Sequence, residues 1–228
     1  MRYLRAGVSH IPRCPRMTPN EMLFLIGASV FAVTGVLAAA RQNMDVMSFI
    51  IVGVVTAIGG GTLRDLMLRM QPFWLQETAY LYVTSAAAVA TFFFERIFRA
   101  TYNALLYLDA LATAVFTIIA TERTLQLGFE PGIAMLIGVI TGIGDGILHD
   151  LLTKQPTILM RRGLYMTPIL IGGALYVVVR KAAVLTPLQV SLLAILIITA
   201  VRVGAIRWHW AFPDWLTYRP AKEPPQGA

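Results

Sequence analysis

Two stretches of the chain repeat each other: residues 56–66 read TAIGGGTLRDL, and residues 141–151 read TGIGDGILHDL. The second stretch begins 85 residues after the first (141 − 56), and seven of the eleven aligned positions are identical. Each stretch is followed after a few residues by Gln-Pro, at 71–72 and at 155–156. These two copies predict an internal repeat.

The composition is that of a membrane protein. Of the 228 residues, 57% are hydrophobic and only 14% are charged, whereas about a quarter of an ordinary soluble domain is charged. A water-soluble globular fold, a disordered chain and a collagen-like repeat are excluded on this ground, and a single cysteine, Cys14, excludes a disulfide framework. The net charge of +7 comes from basic residues placed singly or in pairs between apolar runs. This pattern indicates anchoring at a membrane interface and not nucleic-acid binding.

Seven apolar runs are long enough to cross a bilayer, which needs roughly 17 to 25 helical residues. The runs cover approximately residues 22–40, 46–68, 79–94, 104–120, 132–152, 163–179 and 188–206. We therefore predict an all-α integral membrane protein with seven transmembrane helices.

The two copies of the motif lie on the second and fifth runs, so the repeating unit is three helices. An odd number of crossings places consecutive units in opposite orientations, which predicts a 3+3 inverted repeat with the seventh helix left over. The expected segments are a leader at 1–16, the first unit at 17–98, the second unit at 99–182, the seventh helix at 183–208 and a tail at 209–228.

Glycines cluster in the middle of both motif helices. Each glycine costs roughly 1 kcal/mol relative to alanine inside a helix, so we expect the second and fifth helices to be broken there. Freed carbonyl groups of a broken helix would then coordinate a passing cation. The alternative interpretation is that the glycines only allow close helix packing. The glycines in question are Gly59, Gly60, Gly61, Gly142, Gly144 and Gly146.

Polar and charged residues lie beside these glycines, within the apolar runs. A charge at the bilayer centre costs about 2.5 to 3.5 kcal/mol, so these side chains are expected to face the interior of the bundle. They either line a permeation path or lock the two repeats together in an ion-pair network. The candidate polar positions are Thr56, Arg64, Asp65, Asp109, Thr141, Asp145, His149 and Asp150.

Individual roles for the charged residues follow from their places in the runs. Arg64 is expected to pair with Asp65 or with Asp150. Asp109 would attract cations or cap a neighbouring helix, and Arg202 would extend to the membrane interface.

Enzyme functions are disfavoured. The motif lacks the spacing of a dinucleotide-binding or P-loop sequence, and no serine lies in a nucleophile motif beside one of the three histidines. We predict no cofactor and no tight metal site.

The orientation depends on where the native chain begins. With all basic residues outside the motif counted, the side of the N-terminus carries eight and the other side ten. Residues 1–16 include four of those eight and have no apolar core of a signal peptide, and we hypothesise that Met17 is the native start. Without residues 1–16, the side of the N-terminus carries four basic residues and the other side carries ten. Because basic residues are more frequent on the cytoplasmic side, this distribution places the N-terminus outside and the C-terminus in the cytoplasm. Detection of peptides from residues 1–16 in protein expressed from its own locus would contradict this hypothesis.

The doubled motif resembles that of the prokaryotic trimeric intracellular cation (TRIC) channels, a bacterial group that also has members described as glycine transporters. The similarity covers about residues 23–206 and includes FAVTG at 31–35 and Asp-Ala at 109–110. It implies a homotrimer with one pore in each protomer, flanked by kinked second and fifth helices, and conduction of K⁺ in preference to other monovalent ions. Two positions depart from the family pattern: Asp145 replaces a glycine, and His149 replaces an arginine.

The leading hypothesis is a K⁺ channel of the bacterial inner membrane, in which K⁺ or Na⁺ binds transiently near the glycines. A secondary transporter of glycine or another small zwitterion is the runner-up, and a structural membrane protein whose ion pairs only lock the bundle is the third possibility. The predicted partners are other copies of the chain, lipid and monovalent cations.

Overall fold

The computed structural model describes residues 18–40, 45–98, 102–154, 165–182, 185–208 and 210. The predicted leader and nearly all of the predicted tail lie outside these residues. Within them the chain forms eight helices. They are α1 (Pro19–Ala39), α2 (Val46–Met67), α3 (Phe73–Gln76), α4 (Ala79–Phe98), α5 (Tyr102–Gln126), α6 (Pro131–Leu152), α7 (Met166–Ala182) and α8 (Pro187–Arg207).

Each of the seven apolar runs overlaps one of these helices, and α3 is an additional helix of four residues between α2 and α4. In the described part of the chain, α1, α2, α5, α6 and α8 are long and apolar enough to cross a membrane. The protein is therefore an all-helical membrane protein.

Several helices begin with a side-chain cap, which satisfies backbone N–H groups that would otherwise lack a partner. Thr18 and Glu21 form a capping box at α1, and Thr186 and Gln189 form one at α8. Asp45 caps α2 by accepting a hydrogen bond from Ser48 N at 2.8 Å. The hydrogen bonds from Ser48 also lower the pKa of the Asp45 carboxyl group.

Helices α1 and α5 lie inside the bundle. Helix α1 packs against α2, α4 and α5, while α5 packs also against α6, α7 and α8. An aromatic cluster joins the two central helices, because the ring of Phe116 stacks on Phe24 with centroids 4.2 Å apart and meets Phe31 edge-on at 5.0 Å. Apolar faces that contain Phe93, Ile171 and Leu196 remain exposed in the single chain.

Small residues set the spacing between the long helices. A Cβ atom on Gly53 of α2 would lie 3.1 Å from the carbonyl oxygen of Ala32 in α1. A Cβ atom on Gly138 of α6 would lie 2.6 Å from the carbonyl oxygen of Thr117 in α5. Gly138 follows Gly53 by 85 residues, and Thr117 follows Ala32 by 85 residues. The α1/α2 and α5/α6 pairs thus pack alike at matching positions.

The prediction that the second and fifth long helices, α2 and α6, are broken at their glycines is wrong. Helix α2 continues without interruption from Val46 to Met67, and α6 from Pro131 to Leu152, so both pass through their glycine clusters as helix. The intrinsic cost of glycine in a helix is small beside the helix contacts that the absence of a side chain permits. Close packing, the alternative interpretation, describes these glycines.

Substitution of Gly138 tests this packing. A Cβ atom there would also lie 2.0 Å from Thr121 Oγ1, so Gly138→Ala should destabilise the protein by about 1 to 3 kcal/mol through overpacking. A lower melting temperature in detergent micelles is the expected result. Gly132→Ala, on the same helix, is the matched control, because no atom lies within 4 Å of its added Cβ. An unchanged melting temperature for Gly138→Ala would contradict the close contact of α5 and α6.

Candidate functional site

The two motif helices cross at their glycines. The backbone N–H of Gly60 in α2 donates a hydrogen bond to Asp145 Oδ1 in α6. A Cβ atom on Gly60 would lie 2.2 Å from the carbonyl oxygen of Thr141, and one on Gly144 would lie 3.3 Å from the Cα atom of Gly60. Residues 60 and 145 hold the same position in the two copies of the motif, so equivalent positions meet at this crossing.

Helices α2 and α6 run in opposite directions through the crossing. A Cβ atom on Gly59 would meet Leu148, whereas one on Gly144 would meet Leu63. As α2 advances from residue 59 to residue 63, its contacts on α6 therefore move back from residue 148 to residue 144. The charged ends of the two motifs consequently point toward opposite ends of the crossing.

The six candidate glycines do not line one surface. Gly59, Gly60 and Gly144 lie between α2 and α6, whereas Gly61 faces Phe73 and Phe24. Gly142 faces α5, where a Cβ atom would lie 2.1 Å from Thr117 Oγ1. Gly146 is buried in α6.

Arg64 pairs with its neighbour Asp65, one of the two expected partners. Arg64 Nη2 lies 2.7 Å from Asp65 Oδ1, and Arg64 Nε donates to the same oxygen at 2.8 Å. The second carboxylate oxygen of Asp65 accepts the N–H of Phe73 at 2.7 Å. The Arg64 guanidinium also lies 5.0 Å from the centroid of the Phe24 ring, a cation–π distance. Both side chains are buried.

His149 and Asp150 occupy the corresponding place on α6. His149 Nδ1 lies 2.9 Å from Asp150 Oδ1, and both side chains are buried. A protonated His149 would form an ion pair at this distance, whereas a neutral one would not.

Asp145 is fully buried at the crossing itself. Its Oδ1 accepts the Gly60 N–H, but its Oδ2 has no hydrogen-bond partner among the residues that the structure describes. A carboxylate oxygen that is shielded from water and lacks a donor is costly to keep ionised. It is therefore a strong local acceptor for a proton or a cation.

Asp109 has a partner that the sequence did not predict. Arg202 Nη2 of α8 lies 2.8 Å from Asp109 Oδ2 of α5, and the Arg202 guanidinium lies 4.1 Å from the centroid of the Tyr165 ring. The expectation that Arg202 extends to the membrane interface is wrong, because it is 3% exposed and has a carboxylate within reach. Pairing at this point lowers the cost of both charges in the apolar bundle.

Threonines form a polar row that continues from Asp109 along α5. Thr113, Thr117 and Thr121 follow at intervals of four residues, so they share one face of the helix, and all three are buried. Thr121 Oγ1 donates to the carbonyl of Thr117 at 2.7 Å. The hydroxyl of Thr117 has no hydrogen-bond partner within the described residues.

The two threonines at the start of the motifs, Thr56 and Thr141, are also buried. Thr141 Oγ1 donates to the carbonyl of Ile137 at 2.7 Å. Thr56 packs against Gly35 of α1, and its hydroxyl has no partner in the described segments. Each of these two hydroxyls therefore lies on the N-terminal side of the glycines in its own helix.

Sequence reasoning missed a second buried network, which is centred on Glu122. Tyr176 of α7 donates to Glu122 Oε2, Gln126 Nε2 donates to Oε1 at 2.9 Å, and Arg180 Nε lies 3.3 Å from Oε2. The fourth apolar run ends at residue 120, two residues before Glu122. Extension of the helical pattern to Gln126, four residues beyond Glu122, would have placed this acid inside the bundle.

No cluster of three or more His, Cys, Asp or Glu side chains suited to a metal ion occurs in the part of the chain that the structure describes. Four pairs of ionisable side chains occur in this part of the chain: Arg64 with Asp65, His149 with Asp150, Arg202 with Asp109, and Arg180 with Glu122.

The chain is similar to known membrane proteins over most of its length. It is 36% identical over 199 residues to the UPF0126 inner membrane protein YadS of Escherichia coli strain K12. This alignment covers 85% of this chain and 94% of that protein. It is 36% identical to the TRIC trimeric intracellular cation channel orthologue from Rhodobacter sphaeroides, with a TM-score of 0.81 over 85% of this chain and 100% of that chain. A structure described as showing conductance through TRIC cation channels is 27% identical, with a TM-score of 0.77 over 88% and 98% of the two chains. These relatives are described as membrane proteins and channels, not as enzymes.

A family model described as Glycine transporter matches the chain twice, at residues 21–96 and at residues 106–181. The two matches have equal length and begin 85 residues apart, the offset between the two motifs. The chain therefore belongs to the family that this model describes, together with the bacterial TRIC channels.

Proposed function

We propose that the protein is a cation channel that conducts K⁺ across the bacterial inner membrane, as a homotrimer with one pore in each protomer. The solved relatives described as TRIC cation channels support this function. The observation that carries it within this chain is the α2/α6 crossing. There the buried Asp145 carboxylate accepts a hydrogen bond from the backbone of Gly60 through one oxygen, and its other oxygen has no partner among the described residues.

The proposed architecture has seven membrane-crossing helices. Helices α1, α2 and α4 form one unit, α5, α6 and α7 form an inverted second unit, and α8 stands outside the repeat. The segments are 17–98, 99–182 and 183–208. The two matches of one family model support this division, as does the like packing of Gly53 and Gly138.

The permeation path proposed here passes the α2/α6 crossing. Thr56, Thr141 and Asp145 offer hydroxyl, carbonyl and carboxylate oxygens in an apolar region, and such oxygens offset the loss of water from K⁺. Binding must be weak for ions to leave again, so we expect transient occupancy and no tight site. Movement of α2 against α6 would open the path, because Gly60 and Gly144 are in close contact in the described structure.

The ion pairs are proposed to set the field at the two ends of this path. Arg64 with Asp65 lies at one end, and His149 with Asp150 lies at the other. We place the end with Arg64 and the N-terminus of α1 outside the cell, and the C-terminus in the cytoplasm, from the distribution of basic residues. The relative YadS is described as an inner membrane protein, which supports this membrane.

Current across planar bilayers under a KCl gradient tests the proposed function. Purified wild-type protein should give unitary, cation-selective steps. Gly60→Leu should abolish them, because its side chain would occupy the space of the Thr141 carbonyl and the Asp145 carboxylate. Gly132→Leu is the matched control, since nothing lies within 4 Å of a Cβ atom there, and it should conduct as wild type does.

Two results would contradict the proposal. Undiminished current in folded Gly60→Leu, with a gel-filtration profile like that of wild type, would remove the crossing from the path. Absence of current from the wild-type protein, together with saturable glycine uptake into liposomes, would instead identify a secondary transporter.

Residue 149 is proposed to influence cation entry at the inner end of the path. His149→Arg places a permanent positive charge there, which opposes the entry of cations. The unitary conductance of His149→Arg in planar bilayers should therefore be lower than that of wild type. Equal conductance of the two proteins would contradict a role for residue 149.

A further inference from the structure

Helix α8 brings a buried arginine, Arg202, to the second half of the bundle. Its Nη2 lies 2.8 Å from Asp109 Oδ2 of α5, and its Nη1 lies 3.4 Å from the carbonyl oxygen of the same residue. The guanidinium also lies 4.1 Å from the centroid of the Tyr165 ring. Both members of the ion pair are buried. Helix α8 itself lies outside both matches of the family model, so this arginine does not belong to either repeated segment.

Helix contacts place Asp109 at the level of His149. Two glycines of α6 that are one turn apart face carbonyl oxygens one turn apart on α5, which are that of Thr117 for Gly138 and that of Thr113 for Gly142. The contacts on α5 thus move back along the chain as α6 advances. Continued for the seven residues from Gly142 to His149 (149 − 142), they reach the turn of α5 that contains Asp109.

The second motif lacks the arginine of the first. His149 is the counterpart of Arg64 at the offset of 85 residues, and Asp109 is the counterpart of Phe24. The Arg64 guanidinium lies 5.0 Å from the Phe24 ring. Arginine is always charged in a protein, whereas the charge of histidine depends on its protonation. Arg202 therefore brings from α8 the permanently charged guanidinium that the second motif does not supply.

Asp109 begins a row of oxygen atoms that have no hydrogen-bond partner among the described residues. The row consists of Asp109 Oδ1, Thr113 Oγ1 and Thr117 Oγ1, which follow one another at intervals of four residues and are all shielded from solvent. Thr121 and Thr124 on the same helix differ, because each donates to the carbonyl oxygen four residues earlier at 2.7 Å, a common arrangement for threonine in a helix. The hydroxyls of the row are thus free to contact something other than their own helix.

The row leads from the Arg202–Asp109 pair toward the α2/α6 crossing. Thr117 Oγ1, at its far end, would lie 2.1 Å from a Cβ atom on Gly142, which is one turn of α6 before Asp145. The counterparts of the row in the first half are apolar at every position. They are Phe24, Ala28 and Ala32.

We propose that Arg202 determines the selectivity of the permeation path for monovalent over divalent cations. This inference rests on the proposed cation channel. Without the arginine, Asp109 would add an uncompensated carboxylate to the row, and carboxylate and other oxygen ligands are those that Ca²⁺ prefers. A divalent ion would gain about twice the Coulomb energy of a monovalent ion at this carboxylate, so it would stay and block the path. The guanidinium cancels the charge, and the row then offers oxygens to K⁺ without binding it tightly.

Block of the K⁺ current by Ca²⁺ in planar bilayers tests this inference. Arg202→Met removes the charge, and Ca²⁺ should block this variant at concentrations at least about tenfold below those that affect wild type. The double variant Asp109→Asn with Arg202→Met has neither charge and should regain the sensitivity of wild type. Arg207→Met, exposed at the end of the same helix, is the matched control. Equal Ca²⁺ sensitivity of Arg202→Met and wild type would overturn the proposal.

The converse substitution gives a second test that does not need Arg202→Met to fold. Asp109→Asn leaves the guanidinium without its carboxylate, so the positive charge should oppose cations and lower the unitary K⁺ conductance. Addition of Arg202→Met to this variant should raise the conductance again. A role of the pair in stability alone would lower the melting temperature of the single variants without these effects on current. Conductance of folded Asp109→Asn equal to that of wild type would overturn the proposal.

Melting temperatures in detergent micelles separate this inference from the proposed function. Ca²⁺ should raise the melting temperature of Arg202→Met but not that of wild type or of the double variant, whether or not the protein conducts. Absence of current from wild type together with this stabilisation would contradict the channel and leave the charge balance at Asp109 standing. Wild-type current, with no effect of Ca²⁺ on Arg202→Met in either measurement, would contradict this inference alone.

Discussion

The structure depends on the close crossing of α2 and α6 at Gly60 and Gly144. A single methyl group on Gly60 would lie 2.2 Å from the Thr141 carbonyl oxygen, so no other residue permits this approach without displacement of a helix. Contact at this distance lets the Gly60 N–H reach Asp145 across the interface. In a membrane, where burial of apolar surface does not drive helices together, such packing and interhelical hydrogen bonds supply the stability.

The charges of the protein are distributed so that the apolar bundle tolerates them. Arg64 is paired within its own helix, Asp109 is paired with Arg202 from α8, and Glu122 is held from α7 by Tyr176 and Arg180. Each pair leaves little net charge inside the bundle. Asp145 is the exception among the described acids of the motif helices, because its second oxygen has neither a cation nor a donor beside it. Because of this difference, the proposed permeation site is centred on Asp145.

Much of the fold followed from the sequence because the relevant signals are local. Apolar runs located the long helices, and adjacency predicted Arg64 with Asp65 as one of two pairings. Contacts between distant segments were not predictable in the same way: Asp109 and Arg202 are 93 residues apart, and Glu122 and Tyr176 are 54 apart. The prediction of a helix break was wrong for the same reason. The cost of glycine in a helix is a local property that the sequence shows, whereas the contact between Gly60 and α6 that offsets this cost joins distant segments.

The most direct test of the central claim, that cations pass the α2/α6 crossing beside Asp145, is the reversal potential of Asp145→Asn under a KCl gradient. This substitution keeps the shape of the side chain and replaces the carboxyl group, which can carry a negative charge beside a passing cation, with an amide group that cannot. Asp45→Asn, at the exposed start of α2, is the control. The account predicts a shift of the reversal potential toward zero and a smaller unitary conductance for Asp145→Asn alone. Selectivity and conductance equal to those of wild type would contradict it.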